Sequence, residues 1–226
     1  MPIKIIKGNI FTSKAMTIVN TVNCVGVMGA GIALECRLRY PEMYLKYINL
    51  CENKKLDIGM LWIYKIEDRW ILNFPTKKDW KLPSKVSYLK MGLEKFQQTY
   101  KEKGISSIAF PLLGADKGGL NADQSLEIMV SYLDDLPIDI EIYKYDESAK
   151  DDLFDKTKHW LLSNDLNSLS KLTNIRPQYL EKVLNAIETE NINQLNQLAR
   201  VKGVGINTLE KLFRASIEPA NQSSLF

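Results

Sequence analysis

Asparagines and glycines in the stretch Thr21 to Leu34, TVNCVGVMGAGIAL, have the types and spacing of a loop that receives a phosphorylated ligand. Gly26, Gly29 and Gly31 stand among small or apolar residues, so that backbone N–H groups can approach an anion closely. Ahead of them, Ala15 to Thr21 reads as a strand buried on both faces that ends in the polar Asn20 and Asn23. Behind them, Ile32 to Arg39 reads as a helix, with Ile32, Cys36 and Tyr40 on one side. Strand, glycine loop and helix N-terminus is an anion-binding order, because the helix end adds unpaired donors and a favourable dipole. The loop lacks the Lys-Ser/Thr end of a P-loop, and Gly26-x-x-Gly29-x-Gly31 has the wrong order for a dinucleotide fingerprint. Taken alone, it also fits a turn that merely closes a βα unit. Cys24 lies inside the loop, but without a histidine near it in sequence a small buried residue is favoured over a nucleophile.

The elements that must position such a loop can be taken along the chain. Ile3 to Lys7 reads as a short strand, and Gly8-Asn9-Ile10-Phe11 turns out of it. Tyr40-Pro41 stops one helix and Glu42 to Glu52 forms another through Met43, Tyr47 and Leu50. Gly59 to Ile66 and Trp70 to Phe74 flank Glu67-Asp68-Arg69 as an antiparallel hairpin, and Pro75 ends it. Ser84 to Lys103 is a helix with Leu89, Leu93, Phe96 and Tyr100 on one face and Gly104 as its C-terminal cap. Ser106 to Leu113 is a strand that leads into a second glycine loop, Gly114-Ala115-Asp116-Lys117-Gly118-Gly119-Leu120. A helix through Leu126, Met129 and Leu133 and a strand from Ile138 to Tyr145 complete the series. Strands alternating with helices indicate an α/β domain, and two glycine loops that each follow a strand belong at one end of the sheet.

The 226 residues hold one sizeable core and a small appendage, with the apolar and charged balance of a soluble globular protein. No long apolar span or cleavable signal opens the chain, which reads as cytoplasmic. Cys24, Cys36 and Cys51 fall in no CxxC spacing and His159 is the single histidine, which argues against a metal site and a disulfide framework alike. The net charge of +3 is confined to the C-terminal end: residues 1–155 hold 21 Lys and Arg against 21 Asp and Glu, and residues 156–226 hold 9 against 6. A solvated surface accounts for an excess of that size.

Three separate motifs in order resemble the macrodomain family over about residues 1–146. Ile18-Val19-Asn20-Thr21-Val22-Asn23 is similar to the family's strand end, Met28-Gly29-Ala30-Gly31-Ile32-Ala33 to its first phosphate loop, and Pro111 through Leu120 to the segment that closes over a diphosphate. The resemblance implies a mixed sheet between helices and ADP-ribose as ligand, with no cofactor. It assigns ADP-ribose contacts to Asn9, Ile10, Asn20, Asn23, Met28, Gly29, Ala30, Gly31 and Ile32, and to Gly114, Ala115, Asp116, Lys117, Gly118, Gly119 and Leu120. Many members carry an acid at the position of Asn9, so here the adenine contact moves toward the backbone at Ile10. Asn73-Phe74-Pro75-Thr76-Lys77-Lys78-Asp79-Trp80 resembles the branch of the vertebrate terminal ADP-ribose glycohydrolase and the DarG antitoxin, an eraser of DNA ADP-ribosylation. In that branch the lysine after the threonine is catalytic, which maps to Lys77. The aspartate that the vertebrate enzyme uses maps to Gly118, with Asp116 as a substitute two residues earlier, and this departure favours the DarG-like type.

Cleavage at C1 of the distal ribose develops positive charge at the anomeric carbon and negative charge on the leaving group. Lys77 would protonate the leaving group or attack the carbon as an amine, while Asn20 and Asn23 orient the ribose hydroxyls and loop amides hold the diphosphate. Lys77, Lys78 and Lys81 with Trp80 form a basic and aromatic patch suited to a nucleic-acid strand, and a surface lysine loop with a rim tryptophan is the plainer reading.

Residues 1–150 are thus read as the ligand-binding and catalytic domain. Asp146, Glu147, Asp151, Asp152 and Asp155 follow as a linker or solvated helix start. Residues 156–216 are helical in pattern, and Leu195 through Phe213 resembles a helix-hairpin-helix motif in which Lys202-Gly203-Val204-Gly205 presents amides to a DNA phosphate. Leu166 through Leu184 has the same plan without glycines and serves as a partner repeat. A helical module that grips a toxin is the alternative, and residues 217–226 read as a disordered tail. The expected function is hydrolysis of ADP-ribose from a nucleobase in single-stranded DNA, in the manner of an antitoxin paired with a DNA ADP-ribosyltransferase. Its rivals are hydrolysis of protein or small-metabolite conjugates, such as O-acetyl-ADP-ribose or the 1''-phosphate, a non-catalytic reader, and an antitoxin that works by binding its toxin.

Overall fold

The computed structural model describes residues 3–217, so the tail expected from 218 onward lies outside the described residues. The chain divides into two compact units, residues 1–146 and 147–226.

The first unit is built on six strands: β1 (Lys4–Gly8), β2 (Thr17–Val22), β3 (Trp62–Ile66), β4 (Arg69–Pro75), β5 (Ser107–Pro111) and β6 (Asp139–Tyr145). They lie in the order β1-β6-β5-β2-β4-β3, and every neighbouring pair is parallel except the β3–β4 hairpin. Successive residues of a strand face opposite sides, and here both sides are apolar. Ile18 and its register partner Ile71 pack with Met28, Cys36, Met43 and Tyr47 beneath α1 (Gly31–Arg39) and α2 (Pro41–Glu52). Val19 and its partner Leu72 pack with Leu89, Leu93, Phe96, Met129 and Leu133 beneath α3 (Val86–Thr99) and α4 (Ala122–Leu133). Burial on both faces explains why β2 and β4 read as continuous apolar runs.

Several boundaries differ from expectation, α3 ending at Thr99, β5 at Pro111 and β2 starting at Thr17, and two others differ for a clear local reason. The helix expected from Ser84 begins at Val86, because the Ser84 amide donates instead to the Gly118 carbonyl at 2.9 Å. β3 begins at Trp62 because Asp57 to Met60 forms a turn with Gly59 at φ 80.

The second unit contains α5 (Phe154–Leu162), α6 (Leu166–Thr173), α7 (Pro177–Thr189), a 3-10 turn at Leu195–Arg200 and α8 (Ile206–Ile217). Leu161, Leu169, Leu180, Val183, Ala186, Leu198, Leu212 and Phe213 are buried in it. Asp165 caps α6 by accepting from the Asn167 and Ser168 amides, Asn174 ends that helix at φ 53, and Pro177 starts α7. Of the two readings of the acidic stretch, the helix start fits, with Glu147, Asp152 and Asp155 exposed, but Asp151 is not solvated. Asp151 is 7% exposed, accepts from the Leu153 and Phe154 amides at the start of α5, and accepts from the Leu195 amide at 2.6 Å. Gln194 and Gln197 donate to the Ala149 and Glu147 carbonyls, and Arg200 pairs with Glu147. These bonds put residues 147–155 in the helical unit and move the division from 150–156 to 146–147. Ile217, expected in the tail, is the last residue of α8. Among the described residues no helix is long and apolar enough to cross a membrane.

Candidate active site

The segments singled out in the sequence follow β1, β2, β4 and β5, whose carboxyl ends point the same way. At about 4.8 Å per strand, the row from β1 to β4 spans about 19 Å, room for an extended ligand lying across the strand ends.

The first glycine loop is held from beneath by polar groups. Asn23 Oδ1 accepts from the Val25 amide at 3.0 Å and the Val27 amide at 3.3 Å, while its Nδ2 donates to the Val27 carbonyl. Tyr47, wholly buried, donates through its hydroxyl to the Asn23 carbonyl at 2.8 Å and lies 3.0 Å from Asn23 Oδ1. Burial holds that phenol protonated, so it remains a donor. Asn23 therefore shapes the loop, where sequence reasoning gave it the ribose hydroxyls. Asn20 is also turned inward, donating to Asn73 Oδ1 at 2.9 Å. Met28 is buried, so its side chain supports the loop from below, and Ile32 is half-buried against the same core. Gly29, Ala30 and Gly31 are exposed, and α1 starts without a side-chain cap because Ala30 stands at the cap position. Its first amides are open to an anion.

The second loop faces the first: a Cβ added to Gly31 would lie 3.9 Å from Lys117 Cγ. The loop closes through the Leu120 amide on the Gly114 carbonyl at 3.0 Å and turns at Asp116, Gly114 and Gly119, all with positive φ. Gly114 and Gly118 are buried against Ser84, whose Oγ would stand 2.7 Å from a Cβ at Gly118. A side chain at Gly118, the position aligned with a catalytic aspartate in the vertebrate enzyme, would thus have to displace the Ser84 hydroxyl. Ala115 is half-buried, while Asp116, Lys117 and Gly119 are exposed, and the Asp116 carboxylate stands 4.0 Å from the Lys117 ammonium.

Lys77 bridges the two loops. Its Nζ donates to the Lys117 carbonyl at 2.5 Å, and its own carbonyl lies 3.3 Å from Cys24 Sγ. Burial first, then the nearby Asp57 carboxylate, pushes the Cys24 thiol up to about 12, which keeps this half-buried group a donor at neutral pH. Tyr47, Asp57 and Ser84 are site-forming residues that the sequence reading left out. Tyr47 carried only a core-helix signal, and Asp57 and Ser84 carried none.

At the far end of the row, Asn9 is 3% exposed and its Oδ1 accepts from the Phe11 amide at 2.9 Å, capping the 3-10 turn Ile10–Thr12. Arg69 donates to the Phe11 and Ser13 carbonyls. Arg39, paired with Glu35 at 2.7 Å in the core, places its guanidinium 4.1 Å from the centroid of the Phe11 ring. The turn that carries Asn9 and Ile10 is thus held through Asn9, Phe11 and Ser13, with Ile10 buried.

Trp80 is 52% exposed with Lys81 over its ring. Lys202, Gly203 and Gly205 are exposed on the second unit, where a Cβ at Gly203 would meet the Lys182 ammonium and one at Gly205 would meet nothing. Val204 is buried at 7%, its amide donates to the Val201 carbonyl at 3.0 Å, and its side chain anchors the turn in the apolar core. Among the described residues no three His, Cys, Asp or Glu side chains gather as a metal site.

The family profile described as Macro domain matches residues 19–129. A curated relative from Mycobacterium tuberculosis, a DNA ADP-ribosyl glycohydrolase, is 40% identical over 141 residues, covering 60% of this chain and 40% of its own. A second, from Thermosipho africanus, is a DNA ADP-ribosyl transferase-DNA ADP-ribosyl glycohydrolase fusion protein, 32% identical over 160 residues, 62% of this chain and 41% of its own. The chain thus spans about two fifths of the length of these relatives. Among solved structures, the macrodomain of Mycobacterium tuberculosis DarG has a TM-score of 0.60 at 39% identity, covering 62% of this chain and 96% of its own. Thermosipho africanus DarTG in complex with ADP-ribose also has a TM-score of 0.60, at 34% identity, with 64% and 42% covered.

Proposed function

Because the chain belongs to the macrodomain family, we propose that it is a cytoplasmic hydrolase that removes ADP-ribose from a nucleobase in single-stranded DNA, in the manner of a DarG antitoxin. The carrying observation is the Lys77 ammonium held between two glycine loops at the carboxyl ends of β2, β4 and β5. The relatives' names and the solved complex with ADP-ribose support the ligand and the linkage.

In this reading, amides at the start of α1 and in the second loop hold the diphosphate, the turn at Asn9 and Ile10 takes the adenine, and Lys77 stands at the distal ribose. An ammonium that already donates to a carbonyl is poised to give a proton to the departing base. Attack by the free amine would first require it to leave the Lys117 carbonyl. The carboxylate of Asp116 is turned to Lys117, which leaves Lys77 as the principal catalytic group.

The helical unit holds the DNA strand through the turn Lys202-Gly203-Val204-Gly205, where Val204 closes the turn on the Val201 carbonyl and its neighbours face the phosphate, and so raises the local substrate concentration, while Trp80 offers a stacking surface near the site. A DNA ADP-ribosyltransferase is the corresponding toxin, a pairing supported by the fused arrangement of the Thermosipho africanus relative.

Turnover on a single-stranded oligonucleotide bearing one ADP-ribosylated base tests the reading. Lys77→Ala is expected to lower kcat by about a hundredfold or more and to leave ADP-ribose affinity within a few-fold. Release by neither protein, with ADP-ribose still bound, would leave a reader or a hydrolase of protein conjugates.

A further inference from the structure

Lys77 lies just past the end of β4, where the ladder with β2 makes its last bond through the Thr76 amide on the Val22 carbonyl at 2.9 Å. Beyond that bond the backbone is held from the side of the first loop. The Cys24 amide donates to the Lys78 carbonyl at 3.2 Å, and Cys24 Sγ lies 3.3 Å from the Lys77 carbonyl oxygen. Asp57 receives the Lys78 ammonium on both oxygens, at 2.5 and 2.6 Å, and its Oδ1 accepts from the Ile58 amide at 2.7 Å. One carboxylate from the α2–β3 connection therefore holds the lysine segment beside the bonds that tie it to the first glycine loop.

On the reading that Lys77 acts at this site, we propose that Asp57 is a positioning residue for Lys77, working through the neighbouring Lys78 without touching the ligand. The chemistry of the groups explains why such a device is needed. A lysine has a long flexible stem, so its ammonium is placed only when both ends are held. Lys117 holds the Nζ end, and Cys24 and Lys78 hold the backbone end. The Asp57–Lys78 pair is close to half exposed on each side, where ion pairs add little to stability. Its consequence is geometric: the carboxylate fixes where the two peptides after Thr76 sit relative to the first loop. Because burial keeps the Cys24 thiol protonated, that link persists at neutral pH.

The test uses the full chain as wild type, Asp57→Asn and Asp57→Glu, with three readings. Asp57→Asn is expected to lower kcat on the ADP-ribosylated oligonucleotide by about tenfold or more, with KM and ADP-ribose affinity within about twofold. Acetylation of Lys77 by acetic anhydride, followed by mass spectrometry, is expected to be several-fold faster in Asp57→Asn, because its ammonium leaves the Lys117 carbonyl. Asp57→Glu keeps a carboxylate for Lys78 and is expected to recover most of both. Unchanged Lys77 labelling, or a kcat loss matched by an equal loss of ADP-ribose affinity, would overturn the inference. If the wild type shows no turnover, the hydrolase reading fails and the labelling still decides whether Asp57 positions Lys77.

Discussion

Two glycine turns in this molecule open into helices, one at Gly26 to Gly31 before α1 and one at Gly203 to Gly205 before α8, and they are supported in opposite ways. Beneath the first lie polar groups: Asn23 binds three backbone atoms of the loop, and the Tyr47 hydroxyl binds Asn23. Beneath the second lies the apolar side chain of Val204, with a lysine over Gly203 and open space at Gly205. Both present amides at a helix start, and amides alone accept any phosphate. Selectivity requires fixed surroundings. The first turn has them in the second loop, the Lys77 segment and the turn at Asn9, whereas the second has exposed cations on flexible stems. On the proposed function, the difference separates a site that chooses one ligand from a surface suited to a repeating backbone.

Removing the polar support should break the first turn most severely. Asn23→Ala leaves the Val25 and Val27 amides and the Val27 carbonyl without their partner, while the Tyr47 hydroxyl keeps the backbone carbonyl of residue 23. Stability should fall by about 3 kcal/mol, since each buried polar group left unpaired costs about 1–3 kcal/mol and the loop can rescue some of them with water. Urea unfolding checks that figure, and calorimetric titration should find ADP-ribose binding weakened at least tenfold. A protein that binds ADP-ribose as before would mean that Asn23 is dispensable to the loop and that the contrast with the helical turn is empty.

The second turn should respond in affinity for DNA alone. Gly203→Val combined with Gly205→Val places side chains where the Lys182 ammonium and open solvent now stand, and forces a branched residue into φ 87 at position 203. Binding to single-stranded oligonucleotides should weaken about tenfold, equally for every sequence, because phosphate contacts carry no base information. Fluorescence anisotropy at fixed salt reads this directly. ADP-ribose binding should be unchanged; a parallel loss would show that the two turns do not act as separate sites.

The contrast also explains what the sequence made legible. β2, β4 and β5 carry apolar runs because the sheet is covered on both faces, and the glycine loops after β2 and β5 announce a phosphate site through residues only a close backbone approach requires. Lys77 is visible through its neighbours Asn73 to Trp80. The supports are not visible, since each joins segments distant in sequence: Tyr47 reaches Asn23, Ser84 meets Gly118, and Asp57 holds Lys78. Asn20 and Asn23 read as ligand contacts through the resemblance of residues 18–23, and the buried neighbour that each also binds is not visible in that stretch. The acidic stretch hides a distant partner too. Asp151 looks solvated among like charges until the chain returns at Leu195 to donate to it.

The smallest expected effect concerns pH and separates the support of Lys77 from its chemistry. Hydrogen bonding to Lys78 holds the Asp57 carboxyl below its ordinary value of 3.8, so the contribution of the pair is complete above that value and is lost as pH falls through the depressed one. Hydrogen bonding to Asp57 raises the Lys78 ammonium above 10.5, so the same contribution is complete below that value and is lost as pH rises through the raised one. Cys24, pushed up to about 12, stays protonated throughout. Between about pH 5 and 9 the three groups therefore keep one charge state. The pH profiles of kcat for wild type and Asp57→Asn should run parallel over that window, separated by a constant factor, as measured by oligonucleotide turnover. An inflection confined to the wild type would place a titrating group within the support itself. Parallel profiles assign any inflection to the reacting groups, which is the behaviour expected if Asp57 acts on where Lys77 sits and leaves its proton alone.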